Sequence, residues 1–442
     1  MREGSLEAPT RHPIDWKNPE FYDEDLLNAE MERVFDICHG CRRCFNLCDS
    51  FPTLFDLIDE APSGELDTVD AADFKTVVDG CTLCDMCYLT KCPYVPPHEF
   101  NLDFPHLMLR ARAVQLKKGE FGFAEKNLTE TDRNGKLGCG FSSLTNWATD
   151  RDNKLTRPVM EKVLGVDKNA DLPKFNKTRL TKTDVVKANP AGPAKGRKVA
   201  LYATCFSEFN NAGIGRSAIE VLALQGCEVE VVYPTCCGMP QLEHGDLARV
   251  EANAVKASAE LKPWIEKGYD VVAVVPSCAL MLKFEWPLIA TDSEDVKLLA
   301  QNTFDVTEYV VDIAKKEGMA EGLQPVGDVT IHISCHSRAQ NMGQKGAEML
   351  RLIPDSKVTV IERCSGHGGS WGVMKGNFET ALKVGKPVAR NVAKAKSAHI
   401  VSECPLAREH ILQGVEILQD GEKPVVSQSQ HPIELMAIAY GL

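Results

Sequence analysis

Near the start of the chain stand two runs of four cysteines, Cys38-x2-Cys41-x2-Cys44-x3-Cys48 and Cys81-x2-Cys84-x2-Cys87-x4-Cys92, the second closed by Pro93. Cysteines at this spacing let one short loop present three thiolates to three corners of an iron–sulfur cube, while the fourth ligates a neighbouring cube. The pattern therefore predicts two crossed ligand sets. One [4Fe–4S] cluster takes Cys38, Cys41, Cys44 and Cys92; the other takes Cys81, Cys84, Cys87 and Cys48. The second run has four residues before its last cysteine where the bacterial pattern has three, which bends the loop without removing a ligand.

Two plainer readings fit less well. Structural zinc takes two thiolates per knuckle, so a third cysteine at the same spacing has no task. Disulfides suit short secreted domains, and no apolar export segment is expected near Met1. Seventeen cysteines then point to metal in a reducing cytoplasm. Docking to the inner membrane through a partner is the alternative location. The net charge of −12 argues against nucleic acid, whose partners carry basic footprints. No stretch approaches the roughly 20 apolar residues of a membrane span.

Between the cysteine runs the apolar residues Phe51, Leu54, Phe55, Leu57, Ile58, Phe74, Val77 and Val78 recur at helical spacing. Residues 1–120 are therefore expected to form an α-helical ferredoxin domain with two clusters. Its last helix, Pro105 to Lys118, is basic; a solvated helix is the plain expectation, and a lipid surface or an acidic partner the sharper one. Arg42, Arg43 and Lys91 flank ligands, where they would raise a cluster potential, steer an acidic partner or simply be solvated. Residues 121–196 are polar, rich in proline and lysine, and are expected to be an extended connection. Cys139 within it is expected to be a buried small side chain.

The remainder repeats itself. Strands expected at 198–204, 228–233 and 271–275 end at Cys205, Cys236-Cys237 and Cys278. Strands at 329–333, 358–361 and 399–401 end at Cys335, Cys364 and Cys404. The pairs Cys205/Cys335, Cys236/Cys364 and Cys278/Cys404 stand 130, 128 and 126 residues apart. Short apolar strands alternating with helices build parallel sheets, and ligands collect beyond the carboxyl ends of such strands. Each copy thus gathers cysteines at one rim. The first copy offers Cys205, Cys236, Cys237 and Cys278, enough for an iron–sulfur cluster. In the second copy Ser365 replaces the second cysteine of the pair, leaving Cys335, Cys364 and Cys404. His336 or His367 could add a nitrogen, and Ser365 or Glu403 an oxygen. Zinc, an iron–sulfur cluster and an empty copy kept for folding all remain open there.

The segments Cys236-Cys-Gly-Met-Pro-Gln-Leu-Glu243, Pro276-Ser-Cys-Ala-Leu-Met-Leu-Lys283 and Cys364-Ser-Gly-His-Gly-Gly-Ser-Trp-Gly372 resemble those of CCG-domain (cysteine-rich) proteins. These include the anaerobic glycerol-3-phosphate dehydrogenase C subunit, glycolate oxidase iron–sulfur subunit and heterodisulfide reductase families. The resemblance implies an α+β multidomain chain: the ferredoxin domain, then a tandem pair of α/β CCG domains with parallel sheets, at 197–325 and 326–442. It also implies electron transfer from a flavoprotein dehydrogenase partner toward a quinone or another acceptor, a diiron protein among them. The full motif carries a fifth cysteine, and here Met281 and Ala407 occupy its place. Reductase activity on disulfide-type substrates is therefore the rival expectation. Gly213-Ile-Gly215 is too short for a dinucleotide fingerprint, and no catalytic triad or phosphate loop is found.

Overall fold

The structure, a computed structural model, describes residues 9–184 and 186–442. Its N-terminal part is all helix. Helices Glu24–Cys41, Ser50–Asp59, Phe74–Gly80 and Phe104–Lys118 pack around Phe35, Phe51, Phe55, Phe74 and Phe104. Phe51 lies 4.7 Å from Phe104 and Phe35 lies edge-on to Phe74 at 5.1 Å, ring centre to ring centre. The helical spacing of these apolar residues is what closes this core.

Helix Phe104–Lys118 differs from expectation. Asp103 caps it, Pro105 opens it and Gly119 ends it in the left-handed region. Its basic residues do not form a surface stripe. Leu107, Met108, Leu109, Ala111, Ala113 and Val114 are buried, and so is Arg112. Arg112 donates to the carbonyl oxygens of Glu243 and Val78, each at 2.9 Å, and to that of Cys81. The helix is an internal strut between the N-terminal part and the first repeat, not a solvated or lipid-facing element. Sequence periodicity missed it because an arginine satisfied by three carbonyls is as buried as a leucine.

The two repeats each form a small parallel sheet. In the first, strands β1 (Lys198–Tyr202), β2 (Glu228–Val232), β3 (Asp270–Ala273) and β4 (Thr303–Asp305) lie in the order β2-β1-β3-β4. In the second, β5 (Val329–His332), β6 (Val358–Ile361) and β7 (His399–Ser402) lie in the order β6-β5-β7. The central strands correspond. Val199 pairs Val229 and Asp270, and Val329 pairs Val358 and His399. In each copy the first strand is flanked by the second and third, so the three carboxyl-end loops of a copy open on one rim.

The stretch from Phe121 to Arg197, expected to be extended, carries helices Phe123–Leu128, Thr131–Gly140, Ser142–Thr149 and Arg157–Leu164. An internal arginine holds the segment where apolar periodicity is weak. Buried Arg157 donates to the carbonyls of Thr149, Asp167 and Ala170. The segment clasps both repeats: Cys139 donates its thiol proton to the Phe209 carbonyl, Arg151 pairs with Glu416 at 2.9 Å, and Val166 bridges Met374. Among the described residues no helix is long and apolar enough to cross a membrane.

Candidate metal centres

Cys38 and Cys41 sit in the last turn of helix Glu24–Cys41, which ends at left-handed Arg42. The Arg42 guanidinium lies over the Phe55 ring and pairs with Asp59. Cys44 and Cys48 follow in the loop. Cys81 ends helix Phe74–Gly80, Cys87 lies within helix Met86–Thr90, and the Cys92 N–H returns to the Cys87 carbonyl at 2.9 Å.

The fold brings the last cysteine of each run to the first three of the other. Burial holds Cys38 well above the ordinary thiol range, and the charges of Cys92, Cys44 and Cys41 push the same way. Burial, then Cys92 and Cys41, raise Cys44 to about 12, with Lys91 opposing. Cys48 is raised by burial and then by Cys84 and Cys81. Cys87 is raised by burial, then by Cys84 and Cys81, and further by Cys44 and Cys48, which join the two sets. One pocket is lined by Cys38, Cys41, Cys44 and Cys92 with Phe51 and Phe55.

Thiols gathered around one pocket ionise together most readily when cations compensate them. The donor set and the cavity therefore fit a cationic, multi-atom group better than free cysteines. Among the described residues, no three His, Cys, Asp or Glu side chains converge as a lone metal ion would require.

Backbone amides stand ready for thiolates. N–H groups two residues on are aimed at the sulfurs of Cys48, Cys81, Cys84 and Cys92, from Ser50, Leu83, Met86 and Tyr94. The same arrangement recurs in the repeats, where Gly238 donates to Cys236 at 3.5 Å and Gly366 to Cys364 at 3.4 Å. Leu83, Gly238 and Gly366 all adopt left-handed backbone, with φ of 48°, 86° and 80°. At 366 the residue must be glycine, since a Cβ would fall 1.9 Å from the Ala381 carbonyl oxygen. Leu83 has no such freedom, and a non-glycine residue there costs about 1–2 kcal/mol, strain of the kind that collects at functional sites.

In the first repeat, Cys205 follows β1, Cys236 and Cys237 follow β2, and Cys278 lies in the helix Pro276–Leu280 after β3. The sulfurs of Cys205 and Cys236 are 3.8 Å apart. Cys236 is held well below the thiol range because it accepts hydrogen bonds from Cys205 and then Cys237; those two thiols rise correspondingly. Trp286 fixes the pair by donating its indole N–H to the Cys237 carbonyl at 2.9 Å. Met281, where a fifth thiol would stand, is fully buried.

Sequence reasoning missed Asp132. Its carboxylate accepts from the Tyr233 hydroxyl, from Thr235 Oγ1 at 3.0 Å and from the Cys236 N–H at 3.2 Å. It lies 104 residues from Cys236, in a segment without periodicity, so no local signal marked it.

In the second repeat, Cys335 opens helix Cys335–Ala339 after β5, Cys364 follows β6, and Cys404 precedes helix Pro405–Leu418 after β7. Cys335 is raised by burial and then by Cys84, Cys364 and Cys404. Burial raises Cys404 to about 11, opposed by the Ala407 and Leu406 amides at the helix start. His336 Nε2 and both His367 ring nitrogens are buried without a hydrogen-bond partner in the protein. His336 is turned to Leu83, Asp85 and Glu285, while the His367 ring lies tilted beside that of His410, 5.9 Å centre to centre. Burial, then His410, lowers His367 to about 3, so its ring is neutral and free to ligate. The Glu403 oxygens accept the amides of Ser334 and Gly346, each at 3.2 Å, and so hold the β5 loop.

The family model described as a cysteine-rich domain, CCG, matches residues 199–283 and 329–407. The chain is 30% identical over 196 residues to lactate utilization protein A of Geobacillus sp. (strain WCH70), covering 42% of this chain and 79% of that protein. The chain belongs to the cysteine-rich CCG-domain family. It is also similar to the C subunit of the anaerobic glycerol-3-phosphate dehydrogenase of Escherichia coli (strain K12), at 26% identity over 71% of this chain and 76% of that one. The B subunit of the fumarate reductase (CoM/CoB) of Methanothermobacter marburgensis is 27% identical over 56% of this chain and 48% of that protein. CCG-domain kinship and oxidoreductase subunits among the relatives make this an iron–sulfur, electron-transfer protein.

Proposed function

We propose that the chain carries electrons one at a time between a flavoprotein dehydrogenase or similar redox partner and a downstream acceptor such as a quinone. In this reading residues 1–120 are an α-helical ferredoxin domain. Two [4Fe–4S] clusters are held by Cys38, Cys41, Cys44 and Cys92 and by Cys81, Cys84, Cys87 and Cys48. A further iron–sulfur cluster is held by Cys205, Cys236, Cys237 and Cys278. Such clusters supply one-electron redox chemistry, with potentials set by burial and by hydrogen bonds to sulfur.

The observation that carries the reading is the cavity where Cys92 joins the first three cysteines of the other run. The chain's own work is to keep water from the thiols and to direct amides at their sulfurs. It also holds Asp132 against the Cys236 loop. The rival, a reductase of disulfide-type substrates, loses support from buried Met281 at the fifth ligand position.

Iron, zinc and acid-labile sulfide counts on anaerobically purified protein, with EPR of oxidised and reduced samples, test the proposal. About twelve or more irons with matching sulfide are expected, four per cluster. Zinc alone, without visible absorption, would make the chain a scaffold.

A further inference from the structure

We infer that the outer surface of residues 123–163 is the docking face for the flavin-bearing redox partner, a folded protein with an acidic rim around an apolar centre, and that electrons cross this face to the set Cys205, Cys236, Cys237 and Cys278. The inference rests on the proposed reading of that set as an iron–sulfur site, and it adds where the partner sits. Sixteen large apolar side chains are exposed among the described residues, and eight of them fall in this segment. Leu144 and Trp147 stand one turn apart on helix Ser142–Thr149, and Val159 and Val163 one turn apart on helix Arg157–Leu164, so each helix turns apolar side chains outward. Leu137 and Phe141 add to them from the end of helix Thr131–Gly140. Exposed apolar side chains that are gathered rather than scattered mark an interaction site.

Charge selects the partner. The exposed charges of the segment are Lys126, Arg133, Lys136, Lys154 and Lys162 against Asp152 alone, in a chain whose net charge is −12. Three of its other acids are turned to the fold. Glu130 pairs with Arg249 at 2.7 Å, Glu125 accepts the Gly122 amide at 2.7 Å and Asp132 holds the Cys236 loop. A second copy related by a two-fold axis would bring these cations onto one another, so the complement is an acidic surface. The face is also preformed. The three carbonyls that end helix Ser142–Thr149 are satisfied from the next turn: Trp147 by Asn153 at 2.9 Å, Ala148 by Thr156 at 2.6 Å and Thr149 by Arg157 at 2.9 Å. A face fixed in advance loses little entropy on docking to another fixed face, which favours a folded partner over a fluid lipid surface.

Position gives the face its use. On helix Thr131–Gly140, Asp132, Gly135 and Cys139 look inward. Asp132 accepts the Cys236 N–H, a Cβ on Gly135 would run into the Phe209 ring, and the Cys139 thiol donates to the Phe209 carbonyl. Phe209 ends helix Thr204–Phe209, which bears Cys205. Arg133, Lys136 and Leu137, on the same helix as Asp132, are exposed. A single helix, about 10–12 Å across with its side chains, therefore lies between a docked partner and the first-repeat thiol loops. The loop after Cys81 is covered instead by the second repeat, where a Cβ on Gly368 would come 2.7 Å from Thr82 Cγ2. In each transfer one electron leaves the partner's reduced flavin and enters the first-repeat site, and the cluster proposed there is reduced by that one electron.

The full chain is made in the cells that natively produce it, with photo-reactive p-benzoylphenylalanine in place of Trp147, of Val159 or, as a control, of Ile438, which is exposed on helix Pro432–Tyr440. After irradiation the adducts are identified by mass spectrometry. One flavoprotein should be joined at both 147 and 159 and not at 438. Lipid adducts, a second copy of the chain, or no flavoprotein at either position overturn the inference. The flavoprotein so identified is then purified, reduced and mixed with wild type, Trp147→Glu and Lys136→Glu, and the first-repeat EPR signal is read in samples frozen at successive times. Both variants should keep wild-type iron content and thermal unfolding. Trp147→Glu should weaken binding several-fold, and Lys136→Glu should slow association at low salt and flatten its salt dependence. Wild-type behaviour of both variants overturns the inference, as do vesicles of phosphatidylglycerol and phosphatidylcholine that sediment wild type but not Trp147→Glu. Iron and sulfide counts on the wild type judge the underlying reading separately. Iron present without a flavoprotein adduct ends the inference alone, and absence of iron ends both.

Discussion

Asp132 accepts the Cys236 amide at 3.2 Å from a helix outside either repeat. The same carboxylate holds Thr235 and the Tyr233 hydroxyl, so one side chain sets the shape of the loop that presents two neighbouring thiols.

Asp132→Ala should therefore leave three donors unpartnered and cost about 1–3 kcal/mol. The first-repeat EPR signal should broaden or disappear while the signals of the N-terminal sets persist. Thermal unfolding and EPR on the same sample check this, and unchanged first-repeat spectra would deny the positioning role.

Arg11 joins Asp85, Asp103 and Glu285 in one buried group, with its guanidinium over the Tyr88 ring. Arg11→Met should cost about 3–5 kcal/mol at neutral pH, because it strands buried carboxylates. Burial alone would raise Asp103, but His106 and Arg11 outweigh it and hold the carboxyl near 2. A depressed carboxylate contributes stability above its ordinary value of about 3.9, and loses it as pH falls toward 2. The gap between wild type and variant in urea unfolding should therefore narrow between pH 4 and 2.

Glu243 behaves in the opposite sense. Burial pushes it up to about 7, against the pull of Arg112 and the Ser370 amide, and its oxygens lie against Gly369. The folded chain holds this proton more tightly than the unfolded one, so this residue's contribution falls as pH rises from about 4.3 through 7. Glu243→Gln should flatten that slope and be at least as stable as wild type at pH 8. A variant less stable at pH 8 would show that the ionised form is needed.

Cys41→Ser and Cys84→Ser should each remove about four irons, one cluster's worth. Cys237→Ser should empty the first-repeat site, whereas Ser365→Ala should leave iron unchanged. Equal iron loss from the last two would show that Ser365 is a ligand.

The spacing of the eight N-terminal cysteines and the three strands that both repeats share were legible along the chain; the fourth strand of the first repeat, Thr303–Asp305, was not expected. Thiol spacing follows from cluster geometry, and alternation of strand and helix from burial of short apolar runs. The register of the central strands, Val199 and Val329, matches the 130-residue offset between Cys205 and Cys335. What escaped depends on pairing across the fold. Arg112 looked like surface charge because its three carbonyl partners are 31 to 131 residues away. The helices between Phe123 and Leu164 carry weak apolar periodicity; Arg157 ties the segment to itself, and its hold on the repeats comes from Arg151 and Asp132. His336 and His367 were chosen for nearness in sequence to Cys335 and Cys364. The fold turns the first toward the Leu83 loop and sets the second beside His410.

The contact between Gly368 and Thr82 has a further consequence, for biosynthesis. Cys81 and Thr82 are made early, yet the loop that closes over them is made more than 280 residues later. Throughout that interval the loop from Cys81 to Cys84 lacks the cover that Gly368 later gives it at Thr82. In the proposed reading, that is the interval in which a cluster reaches these thiols with the least of the fold in its way.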